Sequence, residues 1–211
     1  HNQQEVIEAL RRLQFPAGFR ESNMFDGISD ALSRLKDVKG KKSIVVIGTG
    51  LDTFSKHTWD DIRRVASEHR TVIYGIGMTW VLQTTYSRYE SYGYDMSVPQ
   101  MGLLAAEARM KTLAEQTGGL AHFPRFISEL PGVYELIAGG LRRQYTVGYY
   151  PTNRNFDGKT RKIEVRLNKK FEEQVRREND INGDDKIDKK DQKEKIIVRH
   201  KKEYSPSRKF E

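Results

Sequence analysis

The chain has 211 residues, no cysteine and a formal net charge of +8. That length suits one domain with an extension, or one large domain, and the lack of thiols excludes disulfides, zinc ribbons and thiol catalysis. No apolar run approaches the roughly 20 residues of a membrane helix, and His1 to Leu10 lack the apolar centre of a signal peptide.

The charge is uneven. Residues 1–150 carry 18 Lys+Arg against 16 Asp+Glu, whereas residues 151–211 carry 19 against 13. The excess sits in the stretch poorest in apolar residues, with acids mixed through it, which reads as a solvated surface before it reads as a phosphate-binding stripe.

In chain order, Glu5 to Leu13 reads as an amphipathic helix with Val6, Ile7, Leu10 and Leu13 on one face, broken by Pro16-Ala17-Gly18. A second helix, Met24 to Leu35, carries the stripe Met24, Phe25, Ile28, Ala31, Leu32 and Leu35. Ser43 to Ile47 is a continuous apolar run, which predicts a strand buried on both faces of a parallel sheet. Gly48-Thr49-Gly50 turns the chain. Thr58-Trp59-Asp60-Asp61 has the form of a capping box opening a helix with Trp59, Ile62, Val65 and Ala66 inward. Thr71 to Ile76 predicts a second buried strand, and Thr79 to Pro99 a loop of some twenty residues rich in aromatic side chains.

A long helix, Gln100 to Gln116, is predicted to stop at Gly118-Gly119. Leu120 to Phe123 forms a third short strand. Ser128 is placed to cap a helix reaching about Arg143, with Pro131 in its first turn and Val133, Leu136, Ile137 and Leu141 as its apolar face. This β-α-β-α-β-α alternation predicts a parallel sheet covered by helices on both faces. Gln144 to Tyr150, Arg161 to Leu167 and Lys195 to Lys201 then alternate like strands, which predicts an antiparallel appendage or added edge strands. The chain so divides into a body, 1–150, and an extension, 151–211, with a polar insert at 169–193.

FDGISDAL, KKSIVVIGTGLDTFS, TVIYGIG, KTLAEQTGGLAHF and LRRQYTVGYYP together resemble the von Willebrand factor A-like domains, and most of all the bacterial VWFA-related group. The resemblance spans nearly the whole chain outside the polar insert. It implies a Rossmann-like three-layer α/β/α sandwich with a parallel central sheet. It also implies a non-enzymatic protein-interaction or adhesion module of an exported, extracytoplasmic bacterial protein. The family's Asp-x-Ser-x-Ser metal motif, on its first strand, does not occur here. The match starts at the helix before the second metal loop, so about a third of the domain is expected outside this chain. Ser22 falls where the family has its second-loop threonine. Thr49 falls where an aspartate commonly stands, and Asp52 lies three residues on. These three are too few for a hard cation, so magnesium is not expected there; read on their own, Thr49 is a turn residue and Ser22 a helix cap. Without the first strand, the 43–47 strand has an open edge, along which upstream chain or a protein partner is expected to pair.

The polar insert contains Asp180-Ile181-Asn182-Gly183-Asp184-Asp185-Lys186-Ile187-Asp188-Lys189-Lys190-Asp191. Oxygen-bearing side chains at loop positions 1, 3, 5, 9 and 12, with an apolar residue at 8, form the calcium-loop pattern of EF-hands, and the stretch looks most like the dockerin version. Asp180, Asn182, Asp184 and Asp191 would ligate directly, Lys186 through its carbonyl and Asp188 through water. Asp185 stands where glycine is usual. A solvated charge run is the competing reading.

The aromatic loop, with Trp80, Tyr86, Tyr89, Tyr92 and Tyr94, follows the carboxyl end of a strand, where open α/β sheets bind their partners, and is a candidate contact surface. The five histidines show no ligand spacing and no hydrolase motif, and the glycine turns are too short for a nucleotide fingerprint, so no enzyme is expected. The alternatives are a structural subunit docking through its basic hairpin and nucleic-acid binding through the basic C-terminal segment; nucleic acid is the less expected partner.

Overall fold

The structure is a computed structural model. It describes residues 3–12, 22–91, 100–145, 147, 148, 150, 152, 155, 159, 161–171 and 200–204. Their order is α1 (Gln3–Arg11), α2 (Met24–Arg34), β1 (Lys42–Gly48), α3 (Trp59–Glu68), β2 (Thr71–Gly77), α4 (Thr79–Ser91), α5 (Gln100–Thr117), β3 (Ala121–His122), α6 (Leu130–Arg142), β4 (Arg161–Lys162) and β5 (Glu203–Tyr204).

The fold is α/β. β1 and β2 pair in parallel over their full length, from Lys42 opposite Thr71 to Gly48 opposite Gly77, and β3 pairs in parallel on the far side of β2. On one face, Phe25, Ile28 and Leu32 of α2, Ile62 and Ala66 of α3 and Leu113 of α5 close over Ile73, with Ile44 and Val46 packed against them. On the other face, Val133 and Ile137 of α6 lie on Tyr74 and Ile76. The capping box at Thr58 forms as expected: the Asp61 amide donates to Thr58 Oγ1, and Asp61 accepts from the Thr58 amide. Such a cap contributes about 1 kcal/mol. Lysines satisfy the last carbonyls of two helices. Lys42 donates to Leu35 and Lys36 after α2, and Lys201 donates to His69 after α3 (3.1 Å).

α5 ends at Gly118, whose φ of +87° is the left-handed stop that glycine adopts without strain. Its Cα also meets the backbone of His200 so closely that a Cβ would lie 2.9 Å from the His200 carbonyl carbon. The Lys202 amide donates to the Gln116 carbonyl beside it (3.0 Å). Thus the antiparallel pair β4–β5, Arg161 opposite Tyr204, is fastened to the body at the ends of α3 and α5.

Several expectations are corrected. β1 is not buried on both faces: Ile44 and Val46 point into the core, but Val45 and Ile47 are 41% and 56% exposed because no helix lies over them among the described residues. The stretch from Thr79 begins as helix α4 rather than loop; it has almost no apolar periodicity, so nothing in the spacing marks it. Residues 92–99 lie outside the described residues. Ser128 sits inside a 3-10 turn, Ile127–Glu129, that runs into α6, and no side chain caps that helix. Leu136 and Leu141 are exposed because the face of α6 turned to the sheet is that of Leu130, Val133 and Ile137. Among the described residues of 144–150 none is in a strand, and Tyr145 and Tyr150 are 90% and 93% exposed; alternation without an adjacent ladder does not make a strand. The pairing in the extension is shorter and later than expected, Arg161–Lys162 with Glu203–Tyr204, and residues 195–199 lie outside the described residues.

Candidate functional site

The carboxyl end of β1 and the start of α2 form one hydrogen-bonded rim. Gly50, at φ +77°, brings the turn after β1 against the backbone of Ala106 in α5, where a Cβ would lie 3.1 Å from a carbonyl oxygen. The chain then meets Ser22: the Thr53 and Phe54 amides donate to the Ser22 carbonyl, and the Ser22 amide donates to Thr53 Oγ1. Asp52 caps α2 in trans, its Oδ1 accepting from the Phe25 amide (3.0 Å) and from Ser55 Oγ (2.6 Å). Hence Ser22 and Asp52 share this rim, but through backbone bonds and a cap. Ser22 is not itself the helix cap; the N-cap position is Asn23, with no side-chain bond. Thr49 Oγ1 accepts from the Leu51 amide (3.3 Å), as a turn residue does.

A second carboxylate works alongside. Asp26 accepts from the amides of Lys56 and His57 and from the His57 ring at Nδ1 (2.7 Å). The Lys56 amide, then the His57 ring and amide, hold the Asp26 carboxyl down at about 2. Across the ring, His57 Nε2 stands 3.5 Å from Ser29 Oγ. Sequence reasoning misses this Asp–His–Ser set, because its members are 28 and 31 residues apart and only the packing of α2 against the loop joins them. Ser29 lies in mid-helix, where its own amide is committed to the helix ladder and offers no oxyanion donor. Through the Asp26 bonds to Lys56 and His57 the set clamps the loop to α2. Stability that depends on the Asp26 carboxylate should be full above about pH 4 and fall as pH drops from there towards 2, because its folded pKa lies below the unfolded one. Urea midpoints of wild type and Asp26→Asn should differ at pH 6 and converge near pH 2; a difference that stays constant would refute the clamp.

Of the aromatic candidates, Trp80 is half-buried in the first turn of α4, and its indole Nε1 has no hydrogen-bond partner among the described residues. Thr79 beside it donates to Glu107 Oε1 (2.6 Å), joining α4 to α5. Tyr86 and Tyr89 fall on α4, but their side chains lie outside the described residues, as do Tyr92 and Tyr94 altogether. All six loop candidates for calcium, Asp180, Asn182, Asp184, Lys186, Asp188 and Asp191, also lie outside them. Among the described residues no group of three His, Asp or Glu is placed to hold a metal ion, and no helix is long and apolar enough to cross a membrane.

The other notable surface is β1 itself. Among the described residues it pairs with β2 alone, so alternate amides and carbonyls along its outer side lack a ladder. On the α6 side, Val45 lies beside Tyr74 and Ile47 beside Ile76 in register, yet α6 covers only the β2 members of these pairs.

No protein-family model matches this chain, and no curated protein matches it. The crystal structure of an uncharacterized membrane spanning protein from Vibrio fischeri is similar at 17% identity and a TM-score of 0.33, over 64% of this chain and 65% of that one. This chain thus spans a little under two thirds of that protein's length.

Proposed function

We propose that the chain is a non-enzymatic protein-interaction module of the von Willebrand factor A-like kind, with a Rossmann-like sandwich, acting outside the cytoplasm of a bacterium. Its partner adds a strand along the outer edge of β1. The observation that carries this reading is that edge: a seven-residue strand, apolar from Ile44 to Ile47, paired on one side only among the described residues, with Val45 and Ile47 open to solvent. An unpaired strand edge, charged only at its first residue Lys42, is a template for another chain. Left without its partner strand, it should pair with a second copy, so the chain should self-associate as its concentration rises in sedimentation. Ile47→Lys should remain monomeric and equally folded. A wild-type chain that stays monomeric, with the 43–47 amides protected from hydrogen exchange, would overturn the reading.

Calcium in the 180–191 loop belongs to the same proposal, as a structural ion that orders the insert. Five ligand-type side chains at EF-hand positions support it. Millimolar calcium should raise the melting temperature of the full chain and leave Asp180→Ala unchanged. An equal response of both proteins, or of neither, would remove calcium from the proposal.

A further inference from the structure

We propose that the amino-terminal edge of the sheet is a docking surface for an acidic segment of a partner protein. Three turns meet there. Lys42 Nζ donates to the Leu35 and Lys36 carbonyls, which folds the 36–42 turn back on itself. Lys42 opens β1 opposite Thr71, so His69 and Arg70 lead into β2 beside that turn. Lys201 Nζ donates to the His69 carbonyl and brings the hairpin to the same place. The edge so gathers Lys36, Lys39, Lys41, Lys42, Arg70 and Lys201 against two carboxylates, Asp37 and Glu68. Glu68 is already paired with Arg64 (3.7 Å).

The fold uses only part of this charge. Lys42 and Lys201 complement the negative ends of α2 and α3, and Lys41 donates to the Gln144 carbonyl. Lys36, Lys39 and Arg70 are exposed, and their side chains form no hydrogen bond or ion pair among the described residues. The field reaches the His69 ring. Burial first, then Lys42, Lys36 and Lys201 against the pull of Glu68, hold it below its ordinary value, so it stays neutral at pH 7.

The chemistry of the rim selects the partner. α2, α3 and α5 all end at this edge, so it presents helix carbonyls as well as cations. A polypeptide brings carboxylates for the cations and N–H donors for the carbonyls, whereas phosphate groups bring acceptors only. Val38, 49% exposed between Lys36 and Lys39, gives the patch an apolar contact point for a side chain. No Phe, Tyr or Trp lies in the 35–42, 69–71 or 200–202 turns to stack on a base. The patch rests on charge rather than on the open side of β1, so it stands apart from the partner strand.

The test is the binding of a short labelled glutamate peptide with a central leucine to the full-length chain, read by fluorescence anisotropy. It is run at about 0.15 M salt, where charges more than about 8 Å apart are screened and only a cluster acts together. Lys36→Glu combined with Arg70→Glu should weaken binding at least tenfold. Arg109→Glu combined with Lys111→Glu removes the same net charge from exposed positions of α5 and should weaken it less than twofold. Equal losses in the two variants, or no binding by the wild type, would overturn the proposal. So would a DNA duplex or phosphatidylglycerol vesicles that bind more tightly than the peptide and lose that binding in the first variant. A second measurement needs no substitution. Bound peptide should slow acetylation of Lys36 and Lys39 severalfold in the wild-type chain and leave Lys111 unchanged. Equal protection of all three lysines, or of none, would equally refute the site.

Discussion

Replacing Gly119 by alanine should cost about 3 kcal/mol of stability, the upper end of the overpacking range. The turn between α5 and β3 crosses β2 so closely that a Cβ at Gly119 would collide with the Ile73 carbonyl oxygen. Neither partner can yield cheaply. The Gly119 amide donates to the Ala114 carbonyl (2.8 Å), and the Ile73 amide donates to Thr117 Oγ1 (2.9 Å). A backbone shift large enough to relieve the contact would also disturb the bond from the Gly75 amide to the Leu120 carbonyl (3.0 Å) that opens the β2–β3 ladder. Urea unfolding of the variant measures the loss. Gly139→Ala is the matched comparison, since a Cβ there meets nothing within 4 Å in the last turn of α6, and it should gain up to about 0.5–1 kcal/mol. An unchanged midpoint for Gly119→Ala would show that the crossing is looser than described.

Ile62→Ala should cost about 2–5 kcal/mol, the range for large-to-small changes in a closed core. Ile62 is fully buried where α3 meets α2 and the sheet, with Phe25, Ile28, Leu32 and Ala66 around it and Ile73 beneath. Removing three carbons leaves a void lined from three elements, which can collapse only if α2, α3 and the sheet move together. Met101→Ala in α5 removes a comparable apolar volume from a side chain that is mostly in water, and should cost less than about 0.5 kcal/mol. Chemical denaturation of the two variants side by side separates them, and similar losses would mean that the core does not lie where α2, α3 and β2 converge.

Local chemistry was enough to read much of the body. The stripe of α2, the capping box of α3, the two apolar strands and the glycine stop of α5 each depend on neighbours within a turn or two, and the structure has each of them. α4 was missed because Thr, Tyr and Ser at mixed positions carry no helical period, and its fixing bond, Thr79 to Glu107, comes from a residue 28 positions away. Among the described residues of Gln144 to Tyr150 none is in a strand, for the opposite reason. The alternation is present, but a strand exists only where a ladder partner stands, and the chain itself does not announce one.

The rim at the carboxyl end of β1 shows the same division. Ser22, Thr49 and Asp52 could be singled out by their place in the chain, and the structure does gather Ser22 and Asp52 at one rim. Only the packing decided that Asp52 caps α2 and that His57 bridges Asp26 and Ser29. Both depend on carboxylates meeting backbone amides about thirty residues away. The alternation of apolar strands with amphipathic helices determined the α/β class, because strand and helix periods are local properties of the chain. Which side of β1 stays open was settled by tertiary structure alone: burial of a strand depends on what lies over and beside it, and a run such as Ser43 to Ile47 reads the same with or without a neighbour.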